Sequence, residues 1–221
     1  MKANAALPQG RKVAGENASA ATRSELYAFL SRLFSFPDVQ MYPQVLNGCW
    51  LQDLTARFAG LPYSLKSEAN RSWAAPSDYE QFQSEYIRLF EVGGRGGSPC
   101  PLHSGHYSRD RLRTMEELIR FYNFFGLRIA PGMMPDHVSA ELEFMHYLAG
   151  SESETGDGAE QMSYLRAQRD FLLRHLLNWW PLLAVRVKRE RPIPFFRSLV
   201  TLTGRFLQTE RAYVESALRA T

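Results

Sequence analysis

The 221-residue chain is 45% hydrophobic, which is enough to build the core of a single domain. Its formal net charge of +3, from 26 basic and 23 acidic residues, is too small to indicate nucleic acid or an anionic membrane as the main partner. The two cysteines, Cys49 and Cys100, lie in unrelated contexts, which argues against a disulfide framework and favours a reducing compartment.

The start of the chain, residues 1–21, is rich in Ala, Gly and Asn and has no apolar run long enough for a signal peptide. We expect residues 1–21 to form a disordered tail and residues 22–221 to form one helical domain. No stretch approaches the roughly 18 to 20 apolar residues that a membrane span needs. The sequence therefore predicts a cytoplasmic protein without stable membrane insertion.

Helical spacing of apolar residues begins after a capping box formed by Thr22 and Glu25 and continues to Pro37. A short stripe around Leu54 is closed by Gly60. A second capping box, Ser77 with Glu80, predicts another helix, which ends near residue 91. Glycines and prolines then dominate residues 92–107, which we interpret as an ordered, functional loop.

The second half of the chain is also helical in its spacing. One predicted helix ends at Gly126, the next ends at Gly150, and a polar, acidic linker follows over residues 151–158. Pro181 is expected to kink or end the helix after that linker, and a last helical region follows. Because no strand alternation is evident, the fold class is all-α, a single helical bundle of about eight to ten helices.

The Pro135-Asp136-His137 triplet runs directly into a helix. Pro135 presets a helical φ and the Asp136 carboxylate can cap the first turn, so His137 would lie just inside the helix N-terminus. Such a rigid polar corner can bind a ligand. Asp136 and His137 can equally serve only to hold the start of their own helix.

The sequence offers two other kinds of candidate site, one for a metal ion and one for a nucleotide phosphate. Cys100, His103 and His106 offer three metal ligands in one loop, as a metal-dependent hydrolase would need, but no second paired set accompanies them and no catalytic motif is present. The glycines of residues 93–97 could cradle a phosphate in a nucleotide-dependent regulatory switch, although no P-loop lysine follows. The basic run from Arg186 to Arg191 is read as a solvated face rather than a nucleic-acid site.

Four motifs occur in order along the chain. They are Tyr86-x-x-Leu89-Phe90, the loop PCPLHSGHY at residues 99–107, the helix end FYNFFGL at residues 121–127, and Pro135-Asp136-His137. In order and spacing, over roughly residues 22–215, the chain resembles the TorD/DmsD/NarJ family of redox-enzyme maturation chaperones. The loop most resembles those of chaperones serving dimethyl sulfide dehydrogenase, ethylbenzene dehydrogenase, selenate reductase and chlorate reductase.

The resemblance implies a TorD-like all-α fold and a cytoplasmic chaperone that is not an enzyme and has no cofactor of its own. Its expected partners are the apo catalytic subunit of a molybdenum oxidoreductase of the dimethyl sulfoxide reductase type and the twin-arginine signal peptide of that subunit. The chaperone would hold the subunit during cofactor insertion and prevent premature export. A monomer and a homodimer are both compatible with it.

A twin-arginine peptide presents guanidinium groups followed by an apolar stretch, so its receptor needs carboxylates beside a hydrophobic groove. Asp136 and Glu141 are the candidate carboxylates. The resemblance places the remaining contacts in the groove and in the two loops, at Tyr86, Leu89, Phe90, Pro101, Leu102, His103, Pro135 and His137. The loop lacks the tryptophan that the DmsD branch carries after its Leu-Phe pair, so the aromatic side of the pocket is expected to differ.

Overall fold

The computed structural model describes residues 9–65, 72–92 and 97–220, with side chains described from residue 18 onward. Within these ranges the chain forms nine α-helices and no strand, which confirms the all-α expectation. The helices are α1 (Gln9–Leu33), α2 (Met41–Asn47), α3 (Cys49–Ala59), α4 (Tyr79–Tyr86), α5 (Arg111–Phe124), α6 (Val138–Glu154), α7 (Gly158–Phe171), α8 (Leu177–Arg189) and α9 (Pro194–Arg219). A π turn, Ile87–Glu91, extends α4, a second one, Leu172–Leu176, joins α7 to α8, and Ser104–Tyr107 forms a 3₁₀ turn.

The first helix begins earlier than the sequence pattern predicted. Residues 9–21, expected to be part of a disordered tail, belong to α1, and residues 1–8 lie outside the described ranges. Thr22 is therefore an interior residue rather than a cap, and its hydroxyl donates to the carbonyl of Ala18 at 3.0 Å. The alanines of this segment explain the extension, because Ala has the highest intrinsic helix propensity.

Two further boundaries differ from the expectation. Asp78, rather than Ser77, caps α4 and accepts from the N–H of Glu80 at 2.9 Å. Gly150 lies inside α6, which continues to Glu154. A Cβ at Gly150 would lie 3.2 Å from the hydroxyl oxygen of Ser24, so the glycine permits close packing of α1 on α6.

The chain also continues through Pro181 as a helix. Pro181 lies inside α8, as its fifth residue, one turn after the second π turn. Because a proline has no N–H, the hydrogen bond from residue 181 to the preceding turn is missing. The regular α-helical pattern is interrupted one turn earlier, in the π turn Leu172–Leu176, and not at the proline itself.

A buried cluster of charged and polar side chains connects four helices. Arg23 of α1 has no exposed surface and bonds to Glu210 of α9 at 2.9 Å, to Glu152 of α6 at 3.0 Å and to Gln168 of α7. Burial by itself lowers the pKa of Arg23, but the carboxylates of Glu210 and Glu152 raise it well above its usual value. The cluster therefore stays charged and fixes the relative positions of these helices.

Aromatic side chains fill much of the remaining core. Phe82 of α4 stacks on Phe196 of α9 with ring centroids 5.1 Å apart, and Phe144 of α6 contacts Phe171 of α7 at 4.7 Å. In the described part of the chain, no helix is both long and apolar enough to cross a membrane.

Candidate functional site

The loop before α5 is joined to the corner before α6 by main-chain hydrogen bonds. The N–H of Ser104 donates to the carbonyl of Asp136 at 2.8 Å, and the N–H of Val138 donates to the carbonyl of Leu102 at 2.8 Å. His103 and His137 thus face each other as an isolated antiparallel bridge. Two motifs that are more than 30 residues apart form one rigid corner, as the resemblance implied.

Asp136 lies at the centre of this corner and has no exposed surface. Its Oδ1 lies 3.0 Å from Nδ1 of His103, and its Oδ2 lies 3.7 Å from Nε of Arg111. Burial raises the pKa of Asp136, but the hydrogen bond and charge of His103, together with the charge of Arg111, hold it below its usual value. The carboxylate is therefore ionised, and it faces two side chains of this same chain.

The expected roles of Asp136 and His137 at the helix start are corrected by the structure. The cap of α6 is His137, whose Nδ1 accepts from the N–H of Ser139 at 3.2 Å, because the helix begins one residue later than predicted. Burial is the main cause that lowers the pKa of His137, to about 4. The imidazole is therefore neutral, with its proton on Nε2, since Nδ1 acts as an acceptor.

Because Gly105 has no side chain, Arg111 and Asp136 can pack closely against its backbone. A Cβ at this position would lie 2.6 Å from Cγ of Arg111 and 2.8 Å from Oδ2 of Asp136. Neither Gly105 nor Arg111 was singled out from the sequence. The SGHY segment marks the glycine only as a turn residue, and its closeness to Asp136 is a tertiary contact.

Glu141, the second predicted carboxylate, is buried on the core side of the corner. Its Oε2 accepts from Nε1 of Trp179 at 3.1 Å, and its Oε1 has no hydrogen-bond partner among the described residues. Burial raises the pKa of Glu141 to about 8, so the carboxyl is largely protonated at neutral pH. In this conformation Glu141 does not offer an exposed carboxylate to a peptide guanidinium, and its contact with a client stays a prediction.

The predicted apolar groove is closed in this conformation. Tyr86, Leu89, Phe90 and Leu102 are all buried in the core, where the hydroxyl of Tyr86 donates to the carbonyl of Phe34 at 2.9 Å. These side chains support the corner from within rather than lining an open surface. Their contact with a client stays a prediction.

The two candidate prolines are also buried, and each is held through its carbonyl. Pro101 accepts from the hydroxyl of Tyr107 at 3.0 Å, and Pro135 accepts from the hydroxyl of Tyr122 at 2.9 Å. Tyr122 lies at the end of α5, so the corner is braced by that helix as well as by α6.

An open apolar hollow lies beside the corner. It has a volume of about 490 Å³ and is bounded by α1, the end of α5, the loop that leads to the Pro-Asp-His triplet, and the first half of α6. Apolar lining residues include Tyr122, Ile129, Met133 and Phe144. Glu143 supplies a carboxylate, and Arg32 and Arg128 supply two guanidinium groups. Met133 and the adjacent Met134, which lies outside the hollow, are 41% and 37% exposed. Flexible methionine side chains of this kind adapt well to varied apolar ligands.

The metal alternative finds no support in the described residues. They contain no group of three His, Cys, Asp or Glu side chains placed to hold a metal ion. Cys100 is fully buried, and burial raises the pKa of its thiol to about 12. His103 is engaged with Asp136. Most of the glycine-rich segment proposed for a nucleotide, residues 93–96, lies outside the described residues.

Comparison with known proteins places the chain in a family. The family model described as "Nitrate reductase delta subunit" matches residues 52–185. The chain is 30% identical over 204 residues to the perchlorate reductase assembly chaperone protein of Dechloromonas aromatica, covering 89% of this chain and 90% of that protein. It is 32% identical over 160 residues to the selenate reductase assembly chaperone protein of Thauera selenatis, covering 70% and 71%.

A third relative is the chaperone protein TorD of Vibrio cholerae, which is 29% identical over 213 residues, covering 90% of this chain and 94% of that protein. All three relatives are named as chaperones rather than as catalysts. The resemblance inferred from the four motifs is thereby confirmed, and the chain belongs to the nitrate reductase delta subunit family, among its TorD-like assembly chaperones.

Proposed function

We propose that this protein is a cytoplasmic assembly chaperone for the catalytic subunit of a molybdenum oxidoreductase. Its relatives are named as assembly chaperones of perchlorate and selenate reductases, which supports a client of the same class. The observation that carries a binding role for the corner is an ionised, buried carboxylate, Asp136, with one oxygen that lacks a hydrogen bond to any described residue. The client's twin-arginine signal peptide, where it has one, is the proposed ligand.

Asp136 can gain a stronger partner than the one it has. A charge-assisted N–H to O hydrogen bond is usually about 2.7 to 2.9 Å long. The 3.7 Å between Arg111 Nε and Asp136 Oδ2 is longer, and the Arg111 side chain is 44% exposed. In the proposed complex Arg111 swings outward, and a guanidinium of the peptide donates to Oδ2 in its place.

The apolar part of the peptide would occupy the hollow beside the corner. Tyr122 lines that hollow and also donates a hydrogen bond to the carbonyl of Pro135 in the Pro-Asp-His triplet. Met133, another lining residue, lies three residues before Asp136. The proposed site for the guanidinium group and the proposed site for the apolar stretch are therefore adjacent, in the order in which a twin-arginine peptide presents these groups. Glu143 on the rim of the hollow is the proposed contact for the second guanidinium.

The test is capture of the client. The tagged protein is expressed in anaerobically grown native cells, and co-purifying proteins are identified by mass spectrometry, with Asp136→Asn as a second bait. Glu154→Gln, an exposed carboxylate at the end of α6, is the matched control. We expect a molybdoenzyme catalytic subunit with the wild type and the control, and a reduced yield with Asp136→Asn.

Two results would count against the proposal. Recovery of no molybdoenzyme subunit by the wild type would refute the chaperone assignment. Equal recovery by a folded Asp136→Asn variant would refute the corner as the contact. Unfolding midpoints of all baits separate lost binding from lost folding, and light scattering of the purified protein distinguishes a monomer from a homodimer.

A further inference from the structure

Helix α8 presents a second apolar surface, on the side that faces away from the core. Its inward face buries Trp179, Trp180, Leu183 and Val187. Leu182 and Val185, on the outward side, are each 50% exposed. The core does not require apolar residues at these two positions.

Two hollows flank Val185. One, of about 360 Å³, lies between α8 and the turn at residues 106–109, and the other, of about 760 Å³, lies between α8 and the start of α9. Val185 lines both, so together they form one concave surface with an apolar ridge, which we call the α8 surface. Leu182 adds apolar area to the first hollow and Val200 to the second.

The charges of the α8 surface are all of one sign. Arg109, Arg186 and Arg189 line the first hollow, and Lys188, Arg191 and Arg197 line the second. Among the described residues that line these two hollows there is no aspartate or glutamate. The hollow beside the corner, by contrast, carries charges of both signs, with Glu143 beside Arg32 and Arg128.

These cations are not neutralised within the described part of the chain. None of the six forms an ion pair with a described carboxylate, and Glu190, the single acidic residue in the sequence from 171 to 209, pairs with Arg88 at 3.4 Å. The Arg186 guanidinium lies 4.6 Å from the centroid of the Tyr107 ring, which holds it at the edge of the first hollow. For a chain whose formal net charge is only +3, this is a strong local concentration of positive charge.

We propose that the α8 surface binds an acidic amphipathic segment of the client's catalytic subunit, at a place separate from the Pro-Asp-His corner. Apolar side chains of that segment enter the two hollows, and its carboxylates meet the surrounding guanidinium and ammonium groups. This inference depends on the proposed chaperone function. A protein segment fits better than an anionic membrane, because side chains can fill concave hollows that a flat bilayer surface cannot reach.

The test measures binding of the full-length chaperone to the purified apo catalytic subunit that the capture experiment identifies. The variant Arg189→Glu/Arg197→Glu reverses one charge in each hollow. The matched control, Arg211→Glu/Arg219→Glu, makes the same charge change on exposed arginines of α9. We expect the α8 variant to bind roughly tenfold more weakly or worse, and the control to bind within about twofold of the wild type.

A crosslinker identifies the bound segment. With p-benzoylphenylalanine at position 185, we expect crosslinks to a client peptide rich in Asp and Glu, and at the exposed control position Val39 we expect none. Equal affinity of the α8 variant and the wild type, or no crosslink from position 185 in a complex that still forms, would overturn this inference and leave the proposed function intact.

Two other outcomes also overturn it. If the wild type does not bind the subunit, the proposed function fails and this inference fails with it. If the α8 variant keeps full affinity for the subunit but loses binding to phosphatidylglycerol vesicles, the surface is a membrane contact instead.

Discussion

Replacement of Glu141 by glutamine should remove a large part of the protein's pH-dependent stability. The wild-type carboxyl is fully buried against Trp179, and burial raises its pKa from 4.5 to about 8. The folded state therefore binds this proton more tightly than the unfolded state does. The resulting stabilisation is complete below pH 4.5 and is lost as the pH rises through 8. Glutamine has nearly the same shape and no such proton.

The magnitude follows from proton linkage. With a folded-state pKa of about 8 and an unfolded value of 4.5, the wild type should be more stable at pH 6.5 than at pH 9 by roughly 2 kcal/mol from this group. In Glu141→Gln this contribution is zero at every pH. The difference in the free energy of unfolding between the two proteins should therefore change by about 2 kcal/mol over that range.

The comparison of the two proteins cancels the contributions of the other buried groups. Burial lowers the pKa of His137 and of His175 to about 4 in each case. Each stabilises the fold as the pH rises from about 4 through the unfolded value of 6.5, which opposes the trend of Glu141. These histidines are the same in the wild type and in Glu141→Gln, so the difference between the two pH curves isolates the effect of Glu141.

The assay is urea unfolding, followed by circular dichroism, at half-unit steps from pH 6.5 to 9. Glu154→Gln, an exposed glutamate on the same helix, is the control and should follow the wild-type curve. Parallel pH curves for Glu141→Gln and the wild type would refute the assignment of a protonated carboxyl at neutral pH.

Three further substitutions test the corner and the core. Gly105→Ala places a methyl group 2.8 Å from Oδ2 of Asp136, and calorimetry should show a loss of about 1–3 kcal/mol from overpacking. Arg23→Met leaves its two carboxylate partners buried without a counter-ion, and urea unfolding should show a loss of about 3–5 kcal/mol. Trp179→Phe removes the N–H that donates to Glu141, which should cost about 1–3 kcal/mol and shift the pH midpoint of stability upward.

The substitutions at Gly105 and Arg23 each have a matched comparison. Gly132→Ala changes a glycine with no neighbouring atom within 4 Å of the added Cβ, so a loss there reports backbone strain from its φ of 85° rather than overpacking. Arg219→Met removes an exposed ion pair and should change stability by less than about 1 kcal/mol. An Arg23→Met variant as stable as the wild type would contradict a structural role for the buried cluster.

The helices could be read from the sequence because their signal is local. Apolar residues three and four positions apart fall on one face of a helix wherever they occur, so helix existence and the all-α class follow from spacing alone. The exact first and last residues of the helices were harder to predict from the sequence. Thr22 forms a capping-box pattern with Glu25 yet lies inside α1, since the preceding alanines continue the helix.

The Pro-Asp-His triplet could be singled out as a candidate from the sequence, but its contacts could not be predicted. His103 and Arg111 lie 33 and 25 residues before Asp136, and their approach to its two oxygens depends on how the loop meets the start of α6. For the same reason the sequence could assign Tyr86 and Leu89 to the apolar face of a helix, but it could not show whether that face is buried or exposed.

The sequence by itself determined the helical class and the family resemblance, because periodicity and motif order are properties of the chain. Only the tertiary structure decided the ionisation of the carboxyls. Asp136 is charged because His103 and Arg111 face it, and Glu141 is largely neutral because its burial outweighs the hydrogen bond that Trp179 donates. Both states arise from through-space distances and from the exclusion of water, which are set only when the helices pack.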